Sequence, residues 1–362
     1  LRIKRIAMNN FRSYQNLVIE PEDGINVIYG NNGSGKTNIL EAIYWVSFGK
    51  SFRTHEDFIM VNTNQNSCMV NIESNISGLD KVFEIIYSRD SRRKSVKVNN
   101  NRIRKHSDIL GSLPVVLFSP ENIMTIKGEP ALRRRQIDDL LCQLSYGYYD
   151  LITRYGKEVS HRNYLLKGIR EGKVRKENIE VWNSQIIDKG IEIINRRYEA
   201  INELNKILSE ELNQGTTLIE LNYESRHFNQ FDRENMKSIF EKHFRENFAE
   251  EVARGSTTIG PHKDDIKINY NGMQAKLYAS EGQQRISSVM LKLAEGLLLK
   301  KKSSAYPVVL LDDFSSELDD VNRGIIGKTF SSFRQIIITT TSLENLKGFS
   351  PHKTFHVEQL KS

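Results

Sequence analysis

Only two cysteines, Cys68 and Cys142, occur in the 362 residues, and neither stands near a second Cys or a His at metal-ligand spacing. That speaks against a cysteine-based metal site and leaves buried free thiols in a reducing cytosol as the simple reading. Long apolar runs are missing too. Those present, such as Val308-Val309-Leu310-Leu311 and Ile336-Ile337-Ile338, fall far short of the roughly 18 residues a membrane span requires. No membrane partner is expected. Arg2, Lys4 and Arg5 near the start are not followed by an apolar segment, so no secretory leader is expected, and the expected location is cytoplasmic. Internal repeats and low-complexity linkers are lacking. Aromatic and basic residues do not interleave as they do where single-stranded bases stack. For a nucleic-acid partner this favours contacts to a duplex backbone, which carry little sequence information.

What is present suits a soluble protein of about two domains, at roughly 150 residues each. Lys and Arg exceed Asp and Glu by seven, which permits a polyanionic partner without proving one. Residues 2–8 alternate as a strand. Ile25–Tyr29 forms a second β-like run, and Ile39, Ala42, Ile43 and Val46 then lie on one face of a helix. Lys94–Val98, the turn Asn99-Asn100-Asn101 and Arg102–Arg104 read as a hairpin. From Pro130 to about Asn213 the pattern is mainly helical. Ile187, Ile191, Ile194, Tyr198, Ile201, Leu204, Leu208 and Leu212 make one apolar stripe, read as the core helix of a bundle rather than a long coiled coil. Ile266–Tyr270, Asn271-Gly272 and Met273–Leu277 form a hairpin signature. A helix from about Gln283 to Lys302 follows. Two short apolar strands, 307–311 and 335–339, then suit a parallel sheet.

The segment Gly30-Asn31-Asn32-Gly33-Ser34-Gly35-Lys36-Thr37 fits G-x-x-x-x-G-K-T at every fixed position, with a strand before it and a helix after it. Glycines let the backbone curl so that N–H groups point at phosphate oxygens. The helix N-terminus adds partial positive charge. Lys36 is expected on the β- and γ-phosphates of ATP, with the Thr37 hydroxyl on Mg²⁺. Val308-Val309-Leu310-Leu311-Asp312-Asp313 is an apolar strand ending in two carboxylates. Asp312 is expected to hold Mg²⁺ and Asp313 to orient or deprotonate the attacking water. Asp312, Asp313 and Lys36 are therefore the expected catalytic residues.

Three further stretches point to one superfamily. Ser280-Glu281-Gly282-Gln283-Gln284 resembles the ABC signature motif, Ser316-Glu317-Leu318-Asp319 resembles the D-loop, and Asn10-Phe11-Arg12-Ser13 resembles the N-terminal motif of SMC-type heads. Asp312 lies 276 residues after Lys36. That is too short for the coiled coil of an SMC chain and longer than the spacing in ABC transporter heads. Together with Pro120-Glu121, Gly128-Glu129-Pro130, Arg133-Arg134-Arg135, Arg162-Asn163 and Gly260-Pro261-His262-Lys263-Asp264-Asp265, these stretches resemble the RecF family of bacterial recombination mediators over nearly the whole chain. The resemblance implies that Arg12 reaches the nucleotide. It also implies that Asn38, with Gly30 to Thr37, belongs to the ATP site. Ser280, Gly282 and Gln283 would bind the γ-phosphate of the opposite subunit.

Departures from a generic ABC head qualify the expected rate. Asp313 stands where most heads have Glu, Thr339-Thr340-Thr341 stands where a switch histidine would be, and Ser119-Pro120-Glu121-Asn122 contains no Gln. Slow hydrolysis is expected. Arg133-Arg134-Arg135 at a helix start opposes the macrodipole, so a phosphate partner is the sharper reading there. Arg92, Arg93, Lys94, Lys97, Arg102, Arg104 and Lys105 surround one hairpin and suit either a DNA track or an ordinary solvated face. Lys300–Lys302 end a helix, where cations are favoured anyway. His262 with Asp264 and Asp265 reads as a structural or nucleotide-sensing loop rather than a metal site.

The expected fold is α/β: an ABC-type P-loop ATPase head with an inserted, largely helical second lobe. Residues 1–118 and 296–362 would form the ATPase core, and 119–295 the insert, which would carry the signature motif. The expected function is an ATP-dependent homodimeric DNA clamp on double-stranded DNA or single/double-strand junctions, released by slow hydrolysis. The resemblance adds RecR, with RecO and RecA, as partners at gaps. The rivals are an SMC-like or other P-loop ATPase not acting on DNA, a small-molecule kinase, a transport ATPase subunit and a static ATP-bound scaffold.

Overall fold

The computed structural model describes residues 1–213, 217–228, 231–303, 306–313, 329–346 and 350–360. It divides into two compact units, Leu1–Ile123 with Ser280–Ser362, and Met124–Ala279.

The first unit has two sheets. Strands β1 (Arg2–Phe11), β2 (Tyr14–Ile19), β4 (Ser67–Ile76), β5 (Leu79–Ser88), β6 (Arg93–Val98) and β7 (Asn101–Arg102) form an antiparallel sheet in the order β2-β1-β4-β5-β6-β7. Strands β3 (Gly24–Tyr29), β8 (Val115–Phe118), β12 (Val308–Asp312), β13 (Gln335–Thr340) and β14 (Lys353–His356) form a parallel sheet in the order β14-β3-β13-β12-β8. The sequence pattern explains the difference. Strand β4 alternates, burying Cys68, Val70, Ile72, Ser74 and Ile76 while the residues between them stay more exposed. Strands β8, β12 and β13 are buried at every position, as parallel strands covered on both faces require. Helix α1 (Lys36–Phe48) touches strands of both sheets. It buries Ile39, Leu40, Ile43, Trp45 and Val46 completely, because a helix apolar all round must be covered all round.

Two hairpins follow from their turn residues. Asn99 and Asn100 adopt left-handed φ of 49° and 64°, and Val98 pairs with Asn101. The turn thus has two residues, and Asn101 belongs to the strand. Asn271 and Gly272 adopt φ of 49° and 80° between β10 (Asp265–Tyr270) and β11 (Met273–Gln274) in the second unit. Strand β11 is shorter than the expected Met273–Leu277, because Ala275–Tyr278 turns into helix α8.

The second unit holds a small sheet, β11-β10-β9 with β9 at Ile219–Glu224. Its helices are α3 (Pro130–Leu144), α4 (Tyr148–Arg170), α5 (Glu180–Ile207), α6 (Arg233–Glu246) and α7 (Phe248–Arg254). Helix α2 (Ile123–Lys127) marks the change from the first unit to the second. Helix α5 contacts α3, α4, α6 and β9, so the long apolar stripe is a bundle core, as the spacing suggests. Tyr198 is the one stripe residue left substantially exposed, at 37%.

The boundaries differ from those expected from sequence. Helix α9 (Glu281–Lys302) and Ser280 before it belong to the first unit, not to the insert. Thirteen residues of α9 are buried, and the helix lies against β8. Gly296 makes room for the Phe333 ring, which a Cβ there would meet at 2.9 Å, while Val116 of β8 would lie at an ordinary 3.6 Å. An apolar face of this size cannot leave the sheet it covers.

Candidate nucleotide site

Strand β3 delivers the chain to the phosphate loop. Gly33 and Gly35 adopt φ of 77° and 104°, values that side-chain-bearing residues reach only with strain. A Cβ on Gly35 would also come 2.7 Å from Ser13 Oγ, so the turn between β1 and β2 lies against the loop. Lys36 Nζ donates to Gly30 O and Asn31 O, both at 2.8 Å. Burial lowers the Lys36 pKa, while Asp313, Glu358 and Asp312 act in the opposite sense. Thr37 is in the first turn of α1, and its Oγ1 donates to Asp312 Oδ1 at 2.9 Å. Thr339 Oγ1 is 2.6 Å from the same carboxylate oxygen and accepts the Asp313 N–H at 3.1 Å. Burial pushes the Asp312 pKa up, and these two hydroxyls counter the rise. Asp313 follows β12 with φ of 48° and faces solvent.

This donor set fits Mg²⁺ held jointly with a nucleotide. It offers a hydroxyl and a carboxylate oxygen, both hard ligands, beside an ammonium group suited to phosphate. Among the described residues there is no cluster of three or more His, Cys, Asp or Glu able to hold a metal alone. The remaining ligands would have to be phosphate oxygens and water. A cavity of about 110 Å³ adjoins Asp312 and Asp313, walled in part by Ser119, Asn122, Glu281 and Arg285.

The expected site residues separate into two groups. Gly30 to Thr37, with Asp312 and Asp313, gather at the ends of β3 and β12. Asn38 Nδ2 donates to Ser13 Oγ and its Oδ1 accepts from Arg53, so it braces the loop. Ser280, Gly282 and Gln283 form a separate turn. The Ser280 side chain accepts from the Gln283 N–H, and the Gln283 side chain accepts from the Ser280 N–H, a capping box that starts α9. Gly282 is exposed, with none of the described residues within 4 Å of where a Cβ would stand. Arg12 is engaged elsewhere: its Nε and Nη2 hold Glu41 at 2.9 and 2.6 Å. Glu41 is fully buried in α1. The D-loop-like residues Ser316–Asp319 lie outside the described residues.

Sequence reasoning missed several parts. Glu41 is a buried carboxylate in an otherwise apolar helix, a signal available beforehand. Thr339 was visible only as a departure from a switch histidine, yet it bridges the two aspartates. Glu358, whose carboxylate accepts the Asn31 N–H at 2.8 Å, carried no signal, being 327 residues away.

The triple arginine is chiefly structural, contrary to the sharper reading of it. Arg133 is 5% exposed and is held by Asp265 and Gly128 O. Arg134 donates to Asp264 O. His262 is likewise structural: Nδ1 meets Tyr155 Oη at 2.7 Å and Nε2 lies 3.3 Å from Thr257 O.

The RecF/RecN/SMC N-terminal domain family matches residues 2–361. The DNA replication and repair protein RecF of Heliobacterium modesticaldum is 36% identical over 357 residues, 98% of this chain and 95% of the relative. RecF of Clostridium perfringens is 35% identical, covering 96% of this chain and 95% of the relative. Among solved structures, the recombination mediator protein RecF with ATP, of the RecFOR pathway, superposes with a TM-score of 0.87 at 32% identity, covering 94% of this chain and 92% of that one. An SMC head domain of Pyrococcus furiosus has a TM-score of 0.54 at 19% identity, covering 96% of this chain and 91% of that one. The fold is that of an ABC-type ATPase head.

Proposed function

Because the chain belongs to the RecF family of the RecF/RecN/SMC group, we propose that it is a recombination mediator that closes on double-stranded DNA when ATP joins two copies. The observation that carries the reading is the split of the site. The phosphate loop, Thr37 and Asp312 are assembled within the chain, while the signature turn is preorganised by its own capping box. Gly282 supports completion by a second copy. A helical Gly costs about 1 kcal/mol relative to Ala, and no described residue occupies its Cβ position. A close approach by another molecule, here the γ-phosphate bound to a partner, accounts for it.

The duplex would lie on the outer face of the antiparallel sheet. Register places Arg102 opposite Lys97 and Lys97 opposite Glu84. Side chains alternate along a strand, so Arg93, Lys97 and Arg102 share one face, and Arg104 lies in the bend that follows β7. Lys94 points the other way, to Asp57 and Gly49 O. Lys97 is paired with Glu84, which leaves Arg93, Arg102 and Arg104 exposed and without an ion pair among the described residues. Three guanidinium groups on a sheet edge suit phosphate contacts.

Hydrolysis would be slow. Asp313 is one methylene shorter than the usual Glu, and Thr339 takes the place of a histidine. Thr37 and Asp312 would hold Mg²⁺, which would supply charge neutralisation on the phosphates, and Lys36 would orient the γ-phosphate. Hydrolysis would then part the two copies and release DNA. The same family membership supports action at single/double-strand junctions with RecR and RecO, upstream of RecA loading, in the cytoplasm. The test is retention of a gapped duplex by the protein with ATP, ADP or no nucleotide. Retention with ATP alone is expected; equal retention in all three would remove the clamp.

A further inference from the structure

Glu358 stands in the short helix Val357–Leu360, directly after β14. Its Oε1 accepts the Asn31 N–H at 2.8 Å. Its Oε2 is 3.1 Å from His356 Nε2, and His356 in turn stacks on Tyr29 with ring centroids 4.9 Å apart. Parallel pairing of β14 with β3 sets His356 opposite Tyr29, so the carboxylate is aimed by the sheet itself. A Cβ on Gly30 would collide with Glu358 Oε2. The first glycine of the phosphate loop is therefore needed for this carboxylate to approach.

The Asn31 N–H and the Gly30 carbonyl belong to one peptide unit, in which they point in opposite directions. The carbonyl accepts from Lys36 Nζ at 2.8 Å. The chain is thus continuous: Glu358 carboxylate, Gly30–Asn31 peptide, Lys36 ammonium. An anionic acceptor on the N–H side polarises the peptide and strengthens its carbonyl as an acceptor. The Glu358 carboxyl is held below the usual carboxylate range, first by the Asn31 N–H, so it is charged at neutral pH.

We propose that Glu358 is a positioning residue for nucleotide binding, which acts through the Gly30–Asn31 peptide to hold Lys36 over the phosphate loop before ATP arrives. The carboxylate engages the side of the loop facing away from Lys36. On triphosphate binding, Lys36 exchanges carbonyl oxygens for phosphate oxygens, while the peptide stays braced. The proposal rests on the reading of Gly30 to Thr37 as an ATP site.

The test compares Glu358→Ala, Glu358→Gln and Lys36→Met by titration with a fluorescent ATP analogue and Mg²⁺, and by steady-state ATPase. Glu358→Ala should raise the Kd and KM about five- to tenfold, as loss of one charge-assisted hydrogen bond would, with kcat within about twofold. Glu358→Gln keeps an acceptor oxygen and should recover most of the affinity. Unfolding temperature without nucleotide should be close to that of the parent protein in both variants. If Glu358→Ala binds the analogue as well as the parent, or more tightly, the proposal fails. It also fails if Glu358→Gln is as weak as Ala, or if only the unfolding temperature changes. A parent protein that binds no better than Lys36→Met would instead overturn the ATP-site reading itself.

Discussion

Thr37 Oγ1 and Asp312 Oδ1 are 2.9 Å apart, which joins the start of α1 to the end of β12 across 275 residues. The parallel sheet makes this meeting obligatory. Strands β3 and β12 both run alongside β13, so their C-terminal ends open on the same edge, where α/β sheets bind ligands.

Lys36→Met should weaken ATP binding at least about a hundredfold by equilibrium titration, because it removes the ammonium held on the phosphate loop by Gly30 O and Asn31 O. Unfolding without nucleotide should change little, since Lys36 Nζ bonds only loop carbonyls.

Ser280→Arg should leave ATP affinity within about twofold and prevent ATP-dependent dimers. Ser280 is exposed and its side chain bonds Gln283, not the phosphate loop. Loss of the cap should cost about 1 kcal/mol, measurable by denaturant unfolding.

Arg102→Glu with Arg104→Glu should weaken duplex binding and lower the slope of log K against log salt by roughly two, at ~0.9 per phosphate contact. An unchanged slope would move the DNA elsewhere.

Arg133→Ala should act on stability instead. It removes both guanidinium hydrogen bonds of the largely buried Asp265 carboxylate, which keeps Lys267 at 3.8 Å and the Ile266 N–H, and breaking such a buried pair costs about 3 kcal/mol. Chemical denaturation reads the loss. DNA binding by the folded fraction should be unaffected.

Stability should also fall in acid. Burial lowers the His262 pKa to about 4, below the unfolded value near 6.5. The unfolded chain then binds the proton first, so His262's contribution is complete above about pH 6.5 and is lost as pH falls toward 4. Its size is roughly 3 kcal/mol. Asp264, with its pKa raised by burial, slopes the opposite way near its own titration. Comparing His262→Gln with the parent isolates the histidine: the variant should show a flatter decline between pH 6.5 and 4.

The sequence made the parts of the site that lie in continuous motifs legible. The phosphate loop, the two aspartates and the signature turn are local patterns whose chemistry demands particular residues at fixed spacing. It also showed the bundle helix and both Asn-centred hairpins, because periodicity and left-handed turns are local too. Pairings made by the fold were not visible. Nothing in Arg133-Arg134-Arg135 shows that Asp265, 132 residues later, consumes its first member. Likewise, nothing in Asn10-Phe11-Arg12-Ser13 shows that Glu41 holds the Arg12 guanidinium. The unit boundary was misplaced because α9 is amphipathic enough to suit either lobe, and only its packing on β8 decides.

The most direct measurement is the molar mass in solution by light scattering, without nucleotide, with ADP and with ATP, each with and without duplex DNA. The account predicts a monomer that becomes a dimer only with ATP, more readily with DNA, and not at all in Ser280→Arg. A mass that stays constant through all six conditions would contradict a nucleotide site completed by a second copy.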